Sequence, residues 1–301
     1  MPALESPHTR QYNGDNSLLI MKIISSCSYI LSFGKEAIMR YPWHDSLLES
    51  VFRITTIDPS HAHRRQAASE LLDSERLEAF IIQAGEDLQS PTPAVTASIF
   101  VKRYLALIAG AFYSMSIHSY GLYIALDGLI LTGRESWREP AFFLDKADGG
   151  IGFPQSSRVE WREAVIRHIS NENLQPMINA FSRTTGISPN ILWGHAAYLL
   201  HYYYDVWRKE ASSPELRAQV EEDFRYLTEV EDPALFGSCE KNPFQVTYTT
   251  VPHPHLPGEQ IRLRKHCCLA YMLTNGKCCY TCPTITEEKR SELLLAHMVR
   301  Q

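Results

Sequence analysis

Several absences narrow what this 301-residue chain can do. No Gly-x-Gly-x-x-Gly follows a strand-like run, and "DGGIGFP" at 148–154 lacks the spacing, so no nicotinamide or flavin site of that kind is expected. No internal repeat or low-complexity segment stands out, which excludes solenoids and linker-dominated chains. No cleavable signal fits the start: residues 1–17 are polar and read as disordered. The apolar run Leu18 to Phe33 is interrupted by Lys22 and by serines and Cys27, and no small-residue cleavage site follows. The expectation is a cytoplasmic protein whose thiols stay reduced, so that clustered cysteines bind metal more readily than they form disulfides. Long uncharged runs are also scarce. The longest, Tyr104 to Leu126, could cross a bilayer by length, but it carries Ser114, Ser116, His118, Ser119, Gly110 and Gly121, and Asp127 follows. A buried helix ending in a turn is expected there, with no more than loose association with a membrane surface.

What is present is enough apolar content, 45%, for a core that needs no disulfide staples. Charge is unevenly shared. Residues 236–301 carry a net +3 and the remainder −8, so the C-terminal end suits an anionic partner or bound group, while +3 is too small to suggest nucleic acid.

Residues 18–235 read as a mainly helical body, with breaks at "YPWHD" (41–45), "SPTP" (90–93), "DGGIGFPQSS" (148–157) and "SSP" (212–214). The clearest helix begins at Ser188 as N-cap with Pro189 at the first helical position, and Trp193, Ala197, Leu200, Tyr204 and Trp207 share one stripe suited to a core. From 236 onward the texture changes. "FQVTYTTV" (244–251) and "EQIRLRKH" (259–266) alternate like strands around a "PHPHLPG" loop. After the cysteines, "PTITEEKRSELLLAHMVR" reads as a closing helix with Thr284 and Glu287 spaced as a capping box. The fold class expected is α+β, predominantly α-helical, with a small C-terminal β-hairpin leading into a cysteine-rich loop and the closing helix.

That loop, "HCCLAYMLTNGKCCYTCP" (266–283), holds five of the seven cysteines. Cys279 and Cys282 form a Cys-x-x-Cys pair able to aim both sulfurs to one side of a turn, and Asn275 with Gly276 supplies the bend. Cys267 and Cys268 are adjacent and point to opposite faces in a strand, so they serve one centre only at an irregular corner. Zinc prefers two knuckles, a redox disulfide leaves Cys267 and Cys268 unused, and a four-cysteine iron–sulfur cluster accepts more varied spacing. Spacing alone leaves zinc and iron–sulfur both open.

The pattern Cys267-Cys268, ten residues, Cys279, two residues, Cys282 resembles the C-terminal signature of the FhuF-type ferric siderophore reductases. Arg264 and Lys265 before the pair and Tyr271 after it match residues common in that family. "ILWGHAAYLLHYY" (191–203) is similar to a helical segment upstream, with Ala197 where glycine is usual. The resemblance implies a [2Fe–2S] cluster on Cys267, Cys268, Cys279 and Cys282, with Cys278 a bystander. It also implies one-electron reduction of a ferric siderophore, of hydroxamate or mixed citrate–hydroxamate type, which releases iron because Fe²⁺ suits hard anionic oxygens far less than Fe³⁺. The electron would come from a separate ferredoxin or flavin reductase. Arg262, Arg264, Lys265 and Tyr271 are the candidate substrate contacts: strand alternation puts Arg262 and Arg264 on one face and Lys265 on the other, one face to meet the siderophore and the other to compensate cluster charge. A non-catalytic helical binding protein stapled by a four-cysteine zinc site is the alternative. His61 and His63 are expected at a solvated helix start, His253 and His255 at a hairpin tip, His118 in the core, and Cys27 and Cys239 as ordinary buried thiols.

Overall fold

Thr92 accepts a hydrogen bond from the Val95 amide and Pro93 opens the first turn, which launches the helix around which the rest is arranged. In the computed structural model, which describes residues 46–146, 151–155 and 157–299, this helix runs Pro93–His118 and ends where Ser119 adopts φ 52°. Before it come α1 (Ser46–Ser50) and α2 (Ser74–Leu88), and the long helix is α3. After it come α4 (Arg158–Ile169), α5 (Gln175–Thr185), α6 (Pro189–Glu210), α7 (Pro214–Glu229) and α8 (Glu287–Met298). Helix α3 is apolar nearly all round and packs against α2, α4, α5, α6 and α7. By length and composition it could cross a membrane, yet 83% of its apolar window is buried inside the protein. The expected buried helix and turn are therefore observed.

Helices and short sheets make the predominantly helical α+β fold. The breaks at 90–93 and 212–214 separate α2 from α3 and α6 from α7, and the described part of 148–157 precedes α4. On α6 the stripe Trp193, Ala197, Leu200, Tyr204 and Trp207 is buried throughout. Ser188 occupies the N-cap position, but its side chain makes no capping bond. The expectations for residues 1–17, Leu18 to Phe33, Cys27 and "YPWHD" fall outside the described residues.

Several features depart from the sequence reading. A four-stranded sheet lies within the region read as helical. It comprises β1 (Ile54–Thr55), β2 (Arg64–Ala67), β3 (Leu129–Gly133) and β4 (Ala141–Leu144), in the order β1-β4-β3-β2, with β1 and β4 parallel and the other pairs antiparallel. Strands of two to five residues are too short to register as an alternating pattern. His61 and His63 sit, exposed, in the turn before β2 instead of at a helix start, and His118 is a half-buried last residue of α3, its ring edge-on to Tyr113.

The C-terminal hairpin is shorter than the pattern implied: β5 (Thr250–Pro252) pairs with β6 (Gln260–Arg262). The preceding chain is drawn into the body instead of into the ladder. Phe244 is fully buried against Phe112 of α3, Trp193 of α6 and Phe236. His253 and His255 do stand at the hairpin tip, where His253 Nδ1 accepts from the amides of His255 and Leu256.

The closing helix begins two residues later than the capping box suggested, with Thr286 as its cap, accepting from the Lys289 amide. The physical reason is that the Thr284 hydroxyl faces the Cys282 sulfur at 3.2 Å, so it is not available to the helix.

Candidate functional site

The cysteine loop is seated on the helical body. Leu269, Ala270 and Leu273 pack against Leu88, Val95 and Ile99, at the junction of α2 and α3, and the Thr274 amide donates to Gln89 O. Between the two cysteine pairs the backbone reverses as the sequence indicated: Asn275 has φ 64°, and a Cβ on Gly276 would lie 2.0 Å from Ala270 O. Cys267 and Cys268 stand beyond the end of β6, and Leu269 directly after them has φ 61°. This is the irregular corner that two neighbouring ligands require.

Each of the four motif sulfurs meets a group able to donate a hydrogen bond. The Leu269 amide lies 3.4 Å from Cys267 Sγ, Lys102 Nζ 3.8 Å from Cys268 Sγ, the Thr281 hydroxyl 3.4 Å from Cys279 Sγ and the Thr284 hydroxyl 3.2 Å from Cys282 Sγ. Cys267 and Cys282 sulfurs are 3.7 Å apart. Cys278 is half-buried nearby, and burial first, then the neighbouring Cys282 and Cys279, push its thiol up. Among the described residues, no three His, Cys, Asp or Glu side chains gather round one point. The donor set nonetheless fits a thiolate-bound metal group, because amides, hydroxyls and an ammonium turned onto sulfur stabilise the charge that a metal-bound thiolate carries.

Burial pushes the Cys268 thiol up, but Lys102, the Ala270 amide and Arg264 more than offset this and hold it below the usual thiol range. Cys267 has the opposite balance. Burial first, then the neighbouring Cys282 and Cys268, push it up to about 12. Metal binding at this pair would release protons and so strengthen with rising pH.

Behind Cys268 lies a buried relay that the sequence did not disclose. Ser98 Oγ is 3.0 Å from Cys268 O and 3.0 Å from His195 Nε2. A carbonyl only accepts, so the hydroxyl proton goes to Cys268 O and His195 must donate from Nε2. Burial, with Arg264, Lys102 and His266 adding to it, holds His195 well below the ordinary imidazole range, which keeps the ring neutral.

One residue from His195, Gly194 lets the ring of His266 close on α6: a Cβ there would lie 2.5 Å from His266 Cδ2. Gly194→Ala is expected to destabilise the protein by about 1–3 kcal/mol through overpacking, despite the gain of about 1 kcal/mol in helix propensity, and denaturant unfolding checks it.

The four substrate-contact candidates divide. Arg262 is ion-paired with Asp205 at 2.6 Å and lies over the Tyr248 ring. Arg264 lies over the Tyr198 ring, 4.0 Å from its centroid, and Nε donates to Thr281 Oγ1. These two arginines therefore tie the loop to α6 and to itself. Lys265 and Tyr271 are exposed beside the cysteines. The alternation argument fails beyond Arg262, where β6 ends.

Arg290 of α8, also missed from sequence, is buried. It donates to Tyr280 O, and through Nη2 to Cys282 O at 3.1 Å. In hindsight the Ser98/Lys102 spacing of i, i+4 on one helix face was a readable signal, but nothing in the sequence said that the face looks at cysteines.

Comparison with known families decides the affiliation. The family described as "Ferric iron reductase FhuF-like transporter" matches residues 98–256, more than half of the chain. The chain belongs to this FhuF-like family. No curated protein matches it. The matched region starts at Ser98, the residue that holds the Cys268 carbonyl, and stops short of Cys267 itself. Membership supports reduction of ferric iron, and so an oxidoreductase with a ferric substrate.

Proposed function

We propose that the protein is a cytoplasmic ferric siderophore reductase in which Cys267, Cys268, Cys279 and Cys282 hold a [2Fe–2S] cluster. The observation that carries this reading is the donor on each of those four sulfurs, in a chain of a ferric iron reductase family. Among the described residues Cys278 meets no amide, hydroxyl or ammonium, and its nearest influences are the other thiols, which favours it as the spare. Bound there, the cluster would supply single electrons at low potential.

The chain's own residues hold and shape the site. Ser98 and His195 fix the Cys268 carbonyl, Arg290 fixes the Tyr280 and Cys282 carbonyls, and Arg264 secures the loop against Tyr198. Lys265 and Tyr271, exposed at the loop, are placed to meet an anionic chelate of hydroxamate or mixed citrate–hydroxamate type by charge and by ring contact. No nucleophile or general acid is needed, since hard anionic oxygens release Fe²⁺ more readily than Fe³⁺. A separate ferredoxin or flavin reductase is the electron source. In this scheme residues 18–235 are the reductase body and 236–301 its cluster-bearing end.

Protein purified without oxygen should be red-brown, contain iron and sulfide, bleach with dithionite and recolour on adding a ferric siderophore. A colourless protein with one zinc per chain would overturn the proposal in favour of a structural four-cysteine site.

A further inference from the structure

Lys102 reaches the cysteine site from a distant part of the chain. It lies on α3, one helical turn after Ser98, and both residues act on Cys268: Ser98 holds its carbonyl at 3.0 Å, and Lys102 Nζ stands 3.8 Å from its sulfur. Cys268 is buried, so this half-buried ammonium meets it away from the full screening of water. A second cation near Cys268, Arg264, lies over the Tyr198 ring and donates to Thr281. Lys102 therefore places a positive charge on a prospective ligand sulfur from a helix otherwise given over to the core.

We propose that Lys102 is a tuning residue that raises the reduction potential of the centre held by the C-terminal cysteines. The inference rests on the reading that this centre is a [2Fe–2S] cluster. One electron taken up by such a centre would reduce one of its irons from Fe³⁺ to Fe²⁺ and make the centre as a whole more negative by one charge. A fixed cation beside a ligand sulfur stabilises the reduced state more than the oxidised one. The functional consequence is a choice of partners. A higher potential allows a protein donor of moderate potential to load the electron, while it limits the ferric chelates that can be reduced to those of higher potential.

The test is a mediated spectroelectrochemical titration of anaerobically purified wild type, Lys102→Met and Lys102→Arg. At a fixed ambient potential near the wild-type midpoint, Lys102→Met is expected to show a reduced-to-oxidised ratio about tenfold lower, a shift of ~59 mV for a one-electron couple. Lys102→Arg should stay near wild type because it keeps the charge. A Lys102→Met midpoint equal to wild type overturns the inference, as does an equal shift in both variants. Should Lys102→Met lose the centre, Lys102→Arg decides: retention there supports a requirement for charge, and loss in both overturns it. Wild-type protein lacking iron and sulfide would instead overturn the cluster reading, and this inference with it.

Discussion

Replacing Cys282 with serine is expected to abolish the visible chromophore and to reduce ferric siderophore reduction to background. Cys282 is 2% exposed, lies 3.7 Å from the Cys267 sulfur and 3.2 Å from the Thr284 hydroxyl, so its sulfur is the most enclosed of the set. A serine oxygen is a harder and more basic ligand than a thiolate and does not replace it on an iron–sulfur centre. Iron, sulfide and absorbance per chain measure the outcome, and Cys278→Ser is the informative companion. The thiol of Cys278 meets another thiol instead of an amide, hydroxyl or ammonium, and its loss should leave the chromophore in place. If Cys278→Ser loses the chromophore and Cys279→Ser keeps it, the ligand set is wrong at that position.

Arg290→Met should unlock the loop from the closing helix. The guanidinium is buried and satisfies two carbonyls of the segment that carries Cys279 and Cys282, those of Tyr280 and Cys282. Methionine preserves much of the volume but withdraws the guanidinium's hydrogen bonds from both carbonyls. At ~1.5–3 kcal/mol for a hydrogen bond to a charged group, partly returned by removing a buried charge, a net loss of about 2–4 kcal/mol is expected. Urea unfolding of the metal-free protein reads that loss directly, and faster release of iron to a chelator reads its effect on the site. Arg290→Lys, which keeps the charge but reaches fewer acceptors at once, should fall between the two. An unfolding midpoint unchanged in Arg290→Met would show that the two carbonyls find water or other donors, and that the helix does not hold the loop.

Much of the fold was legible where it depended on long, periodic segments. The α6 stripe and the uncharged run of α3 could be read because burying an apolar face against neighbours imposes a repeat that survives in sequence. The four-stranded sheet could not, since its strands are short and pair with residues far along the chain, as Ile54 does with Phe142. The hairpin was overestimated because Phe244 alternates like a strand residue yet belongs to the core between α3 and α6. The capping box failed for a related reason: Thr284 had two possible partners, a helix amide and a thiol, and only the fold determined which was near.

The sequence by itself determined the cysteine spacing, the turn at Asn275 and Gly276, and the family, because these depend on residue type and on neighbours within a few positions. Tertiary structure alone decided what surrounds the sulfurs. Lys102 comes to Cys268 across 166 positions, Ser98 across 170, and His195 meets Ser98 from another helix. It also decided that Arg262 and Arg264 are held by Asp205, Tyr248 and Tyr198 while Lys265 faces outward. Side-chain charge is written in the sequence, but the groups it acts on are set by packing, because an electrostatic contact depends on separation in space and not along the chain.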